Sequence, residues 1–258
     1  MRTESRRWGS RSLAVAAVAV LLSSFAAPAA SQGIGREQLK EMMAWGTGSL
    51  ILFDKLEYIP DQTLGRPVEL DLIGWYGGAY NRLWFRGEGE QLTSRKAGEG
   101  EAHVYYGRLV TPYWDALAGV RVDGAWGEES DARAHLAVGV VGLAPMRFEL
   151  SPTVFLSQDG DLSGRFEAEY QVLITQRLVI EPELELNAAL QSVPEWGVGS
   201  GLSDVELGLR LRYEIRREFA PYIGYSWVRR VGETADLARA EGESAAEGTF
   251  VAGLRVWR

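Results

Sequence analysis

From Asp204 to Glu214 every second residue is charged or glycine. Asp204, Glu206, Gly208, Arg210, Arg212 and Glu214 alternate with Val205, Leu207, Leu209, Leu211 and Tyr213. Period two over that length predicts a strand with unlike faces. It exceeds the five or six residues usual in a globular sheet and suits an oblique membrane crossing. The same alternation recurs and predicts twelve strands, at 48–58, 66–78, 81–90, 100–111, 114–125, 132–143, 146–157, 162–175, 177–190, 203–216, 219–230 and 248–257. Ahead of them, 31–47 reads as a short periplasmic segment with a helix around Glu37 to Trp45.

The connections alternate too. Those after even-numbered strands shrink to Ala79-Tyr80, Pro112-Tyr113, Ala144-Pro145, Gln176 and Arg217-Glu218. Those after odd-numbered strands, 59–65, 91–99, 126–131, 158–161, 191–202 and 231–247, are longer and polar. Short periplasmic turns facing longer outside loops describe an up-and-down barrel, which a Greek-key sandwich has no reason to imitate. The expected fold is therefore all-β, an up-and-down antiparallel transmembrane β-barrel of about twelve strands over 48–258, with both termini on the periplasmic side. Tyr80, Tyr113, Trp114, Tyr213 and Tyr222 fall near the short-turn ends, where an interfacial girdle belongs. Alternation alone does not say which face is inside, since a soluble lipocalin-like barrel would turn the leucines inward. In a membrane, each Arg facing lipid near the midplane would cost about 2–4 kcal/mol, so the charged face becomes the lumen.

Targeting agrees with export. Residues 1–30 carry Arg2, Arg6, Arg7 and Arg11, then an apolar run from Leu13 to Leu22, then Ala27-Pro28-Ala29, the plan of a cleaved signal peptide. The chain has net charge −8, and four Arg and one Glu in 1–30 contribute +3, leaving −11 for the mature protein. So acidic a chain is not expected to bind nucleic acid. It has no Cys, hence no disulfide and no thiolate ligand. No later stretch has the apolar length of a transmembrane helix.

A tight turn at Gln176 sets Gln171, Glu169 and Glu167 opposite Glu181, Glu183 and Glu185, so that carboxylates face carboxylates. A two-residue turn at Arg217-Glu218 sets Glu206 opposite Arg229. The lumenal charged cluster thus expected comprises Glu167, Glu169, Glu181, Glu183, Glu185, Asp204, Glu206, Arg210, Arg212 and Arg229. Two readings stand: Arg165, Arg177, Arg210 and Arg212 neutralise the acids in a network, or the acids hold a cation. Carboxylate oxygens favour hard ions such as Mg²⁺ or Ca²⁺. Catalysis is not expected. No G-x-S-x-G occurs, no His follows His135, and the run Gly197-Val198-Gly199-Ser200-Gly201 precedes a strand, whereas a phosphate cradle needs a helix there. A narrow channel with a charged lumen and no specific metal site is the competing expectation.

The stretches GSGLSDVELGLRLRYEIRREFAPYIG (199–224), EAEYQVLITQRLVIEPELELN (167–187), GLAPMRFEL (142–150), WYGGAYNRLWFRGEGE (75–90) and LFDKLEY (52–58) closely resemble the copper resistance protein B family of outer-membrane proteins. The resemblance covers nearly the whole mature chain. It implies a barrel of copper resistance and homeostasis that binds or sequesters copper ions. The partners it implies are outer-membrane lipid, the barrel assembly machinery during insertion and other periplasmic copper-resistance proteins. The soft or borderline ligands left after cleavage are Met42, Met43, Met146, His103 and His135. Family members often carry a Met- and His-rich segment ahead of the barrel. Here that region offers only Met42 and Met43, so weaker copper binding is expected.

Overall fold

Antiparallel pairing runs from each strand to the next in sequence and from the last back to the first, so the sheet closes on itself. The computed structural model describes residues 46–60, 67–92, 97–127 and 131–258. The expected signal peptide, the helix expected around Glu37 to Trp45, and Met42 and Met43 lie outside the described residues. The strands are β1 Gly48–Tyr58, β2 Pro67–Gly77, β3 Asn81–Leu92, β4 Gly98–Thr111, β5 Trp114–Trp126 and β6 Asp131–Leu143. They continue as β7 Glu149–Ser157, β8 in two pieces (Leu162–Glu169 and Val172–Leu173), β9 Leu178–Ala189, β10 Gly201–Tyr213, β11 Phe219–Arg230 and β12 Ala246–Trp257. Twelve residues at about 3.3 Å each, tilted about 40°, rise about 30 Å, enough for the apolar band of an outer membrane.

Exposure settles the two faces. On β10, Leu207, Leu209 and Leu211 are 45%, 53% and 39% exposed, while Arg210 and Arg212 are each 4% exposed. The leucines face outward and the arginines inward. The outer face continues this belt through Leu70, Val104, Val120, Leu136, Val138, Val154 and Ile223. Such a continuous apolar surface fits lipid and not water. Exposed aromatics border it at the short-turn end (Tyr76, Tyr80, Tyr106, Tyr113, Tyr213, Trp257) and toward the long-loop end (Tyr58, Trp126, Phe250).

Several elements depart from the expected pattern. Strand β7 begins at Glu149, three residues later than expected, because Pro145–Arg147 form a 3₁₀ turn in which Met146 and Arg147 take φ of 67° and 68°. Left-handed backbone at two successive non-glycine residues cannot continue a ladder. Strand β8 is interrupted at Tyr170 and Gln171, so Gln171 does not pair with Glu181. The loop between β11 and β12 contains a helix, α1 (Gly232–Ala240), packed on β10 and β11. On β1, a bulge at Asp54 interrupts the pairing with β2 between Phe53 and Lys55, and both Asp54 and Lys55 reach the lumen's ion pairs.

Candidate functional site in the lumen

Strand register builds the interior in rows. Across β3 to β7, Trp84, Tyr105, Gly119, Ala137 and Phe155 are successive cross-strand partners. Tyr105, Leu117, Ala137 and Phe155 form a buried apolar cluster, with Trp84 and Val141 against it. Gly119 is required in this row, since a Cβ there would lie 2.0 Å from the Val104 carbonyl oxygen. Two residues toward the long-loop end the next row reads Arg86, His103, Arg121, His135, Ser157. The change from apolar to charged therefore happens within one step along each strand.

The rest of the lumen is held by ion pairs. Arg165 donates two bonds to Glu101, at 2.6 and 3.0 Å, and Arg121 lies 2.8 Å from the same carboxylate. Arg86 grips Glu167 with both Nη atoms. Arg210 bridges Glu57, at 2.5 Å, and Glu183, which Lys55 also approaches at 2.9 Å. Arg212 and Arg255 share Glu181 at 2.6 and 2.9 Å, and Arg255 continues to Asp54 at 2.8 Å. Bidentate and shared guanidinium contacts of this kind are the strong form of charged hydrogen bonding.

On the long-loop side of the apolar row lies a cavity of about 540 Å³. Its lining holds thirteen Asp and Glu against four cations, Lys55, Arg86, Arg121 and Arg133. Among the described residues Glu69, Asp71, Glu90, Glu99 and Glu169 form no ion pair, and Asp71 Oδ1 is buried without a hydrogen-bond partner. The loop after β9 folds over part of this space: Val193, Trp196 and Val198 line it, and Arg133 stands 5.6 Å above the Trp196 ring. Helix α1 fixes that loop from outside. Glu233 accepts the Ser200 N–H (2.9 Å), Ser200 Oγ (2.8 Å) and Ser192 Oγ (2.9 Å), while Thr234 Oγ1 accepts the Gly199 N–H. These donors, the Ser200 N–H foremost, hold the Glu233 carboxyl below the usual glutamate range.

Most of the expected cluster is found in the lumen. Glu169 faces Glu183 and Glu167 faces Glu185, as the Gln176 turn predicted. Arg165, Arg210 and Arg212 supply the neutralising network, but Arg177 is exposed at the short-turn end. Asp204 accepts a bond from Asn187 Nδ2, and Glu206 one from Ser226 Oγ. Arg229 is a correction. It is paired with Val205, exposed and outward, while Glu206 faces Val228. Between the Arg212–Tyr222 and Arg216–Phe219 pairings the register changes by one residue, where the Glu214 N–H turns to the Arg177 carbonyl. The glutamates and aspartates of β2 to β4 were missed as site residues, although the same period-two pattern marks their inward face.

Of the expected soft ligands, Met146 is 75% exposed in the β6–β7 turn at the short-turn end and does not line the cavity. His103 and His135 share one row with Arg121 between them and both pack edge-on to Phe155. His103 is fully engaged, by Tyr105 Oη at Nδ1 and by Glu101 at Nε2. His135 Nδ1 is buried without a hydrogen bond, 3.6 Å from Asp123. Among the described residues no group of three or more His, Asp or Glu side chains is arranged to hold a metal ion.

Comparison with known proteins fits this architecture. The sequence profile described as Copper resistance protein B precursor (CopB) matches residues 47–258. Copper resistance protein B of Escherichia coli is 43% identical over 208 residues, 81% of this chain and 69% of that protein. The Copper resistance protein B homolog of Pseudomonas syringae pv. tomato is 41% identical over 209 residues, with the same two coverages. The solved structure of the NanC porin superposes with a TM-score of 0.51 at 13% identity, over 81% of this chain and 99% of that one, which speaks to the barrel fold alone. With its profile match spanning the entire barrel, the chain belongs to the copper resistance protein B family of outer-membrane proteins.

Proposed function

We propose that this barrel serves copper homeostasis by binding or sequestering copper ions in the acidic half of its lumen. The observation that supports this most is the unbalanced cavity of about 540 Å³, where Glu69, Asp71, Glu90, Glu99 and Glu169 carry no ion pair with any described residue. Carboxylate and imidazole are acceptable ligands for Cu(II), whereas Cu(I) prefers thioether. The field of the excess carboxylates in the cavity holds the ions as exchangeable counter-ions, in keeping with the lack of a three-ligand group among the described residues. Focusing of that field between low-dielectric walls raises the local cation concentration. The protein acts by binding and not by catalysis.

Equilibrium dialysis of the refolded mature protein against Cu(II), with metal analysis of the retained fraction, tests this. The wild type should retain more than one ion per chain, and E69Q/E90Q/E99Q/E206Q should lose most of them while keeping heat-modifiable mobility. Retention unaffected by the four substitutions would defeat the proposal.

A further inference from the structure

Most described basic side chains sort by position; Arg229, exposed and unpaired near the long-loop end, is the exception, while Arg230 and Arg239 at that end are paired. Every lysine or arginine inside the barrel sits in an ion pair. Arg108, Arg147, Arg177, Arg216, Arg217 and Arg258, all at the short-turn end, are exposed, and none of their guanidinium groups makes a hydrogen bond or ion pair. They are spread around the rim: one near the end of β4, one in the β6–β7 turn, one before β9, two in the β10–β11 turn, and one after β12. Among the described residues few acids oppose them. Glu149 and Glu218 are exposed there, and Glu214 turns to Arg212 at 3.8 Å.

Two further observations place this rim at a membrane surface. The exposed aromatics Tyr80, Tyr113, Tyr213 and Trp257 occupy the same end, the level at which amphipathic rings meet headgroups. The left-handed backbone of Met146 and Arg147 presents Arg147 at the tip of its turn, with Phe148 stacked on Tyr170 at 4.6 Å beside it. Strain of this type persists where the surroundings over-determine it and accompanies function. A single protein partner would engage one arc. Guanidinium groups repeated around the circumference match an occupant that is itself a ring of phosphates in one plane, and the planar fork of Arg binds phosphate in a bidentate manner.

We propose that the short-turn rim is a binding ring for anionic phospholipid headgroups of the periplasm-facing leaflet, which anchors the barrel and fixes its depth. Basic residues at a membrane surface favour anionic lipid by about fivefold per residue engaged. The mature protein would be folded into nanodiscs of mixed phosphatidylcholine and phosphatidylglycerol, extracted, and its retained lipids counted by native mass spectrometry. The wild type should retain phosphatidylglycerol several-fold over its share of the disc. R147Q/R177Q/R216Q/R217Q/R258Q should lose that enrichment, and the same five positions changed to Lys should keep most of it. Should the Gln variant fail to fold, the wild type decides: enrichment must fall when NaCl is raised, since exposed charges are screened. Enrichment unchanged in a folded Gln variant, or insensitive to salt in the wild type, would overturn the proposal. So would displacement of the lipid by inorganic phosphate far beyond that by chloride at equal ionic strength, which would mark a site for free phosphate.

Discussion

On β3 to β7 an apolar cluster of Trp84, Tyr105, Leu117, Ala137 and Phe155 fills part of the interior, whereas β1, β9, β10 and β12 fill theirs with Glu57, Glu181, Glu183, Arg210, Arg212 and Arg255. The apolar wall needs volume of the right shape and no particular partner. The ionic wall needs each carboxylate matched to a cation in place, because desolvating an unmatched charge costs several kcal/mol. The difference teaches where this protein can afford an open space. The cavity lies on the long-loop side of the apolar row and takes Lys55 and Glu183 of the ionic wall into its lining, where acids outnumber bases among the described residues.

The largest effect that sharpens this contrast is Arg210→Ala. It leaves Glu57, 1% exposed, and Glu183 without their shared guanidinium, and should destabilise the barrel by about 3–5 kcal/mol in urea titrations followed by heat-modifiable mobility. Adding Glu57→Gln should recover part of that loss, because the stranded charge is removed with its partner. Absence of any recovery would mean that Arg210 acts by packing alone. Phe155→Leu comes next, at about 1–2 kcal/mol, and no charge substitution should rescue it. A rescue there would erase the distinction between the walls.

A smaller effect tests the register. Glu206 and Arg229 lie on opposite faces, so a charge-reversal cycle at these residues should be additive within about 0.3–0.5 kcal/mol. Coupling well beyond that would restore the pairing that the two-residue turn suggested. Smallest is the loop contact at Glu233. Its carboxyl titrates below the ordinary glutamate range, so the contribution is fully present above the unfolded-state value and is lost as pH falls through the depressed one. Proteolysis of the loop 190–200 should therefore stay slow at neutral pH and quicken only under acid conditions, and Glu233→Gln should remove that dependence. A wild-type transition near pH 6 would contradict the assignment.

Much of this was legible in the sequence because strand period and turn length are local. Alternation located twelve strands, and the tight turn at Gln176 fixed the Glu169–Glu183 and Glu167–Glu185 pairs. What the residues could not reveal was non-local or backbone-driven. Arg210 meets Glu57 across 153 positions, which no periodicity records. The register change after Arg212 moved Arg229 to the outer face, and no Gly or Pro in Glu214 to Glu218 marks it. Met146 and Arg147 adopt positive φ without the Asn or Gly that usually announces it. Helix α1 carries no apolar stripe for a pattern to detect, because its buried residues are the small Thr234, Ala235 and Ala238.

The salt dependence of Cu(II) retention by the refolded wild type tests most directly the claim that copper is held by the field of the acidic cavity. Raising NaCl from low to physiological concentration shortens the Debye length to about 8 Å, so ions held as counter-ions should be lost progressively, and His135→Ala should change the curve little. One tightly held ion per chain, insensitive to salt and abolished by His135→Ala, would contradict the account and assign copper to a fixed site at His135 and Asp123.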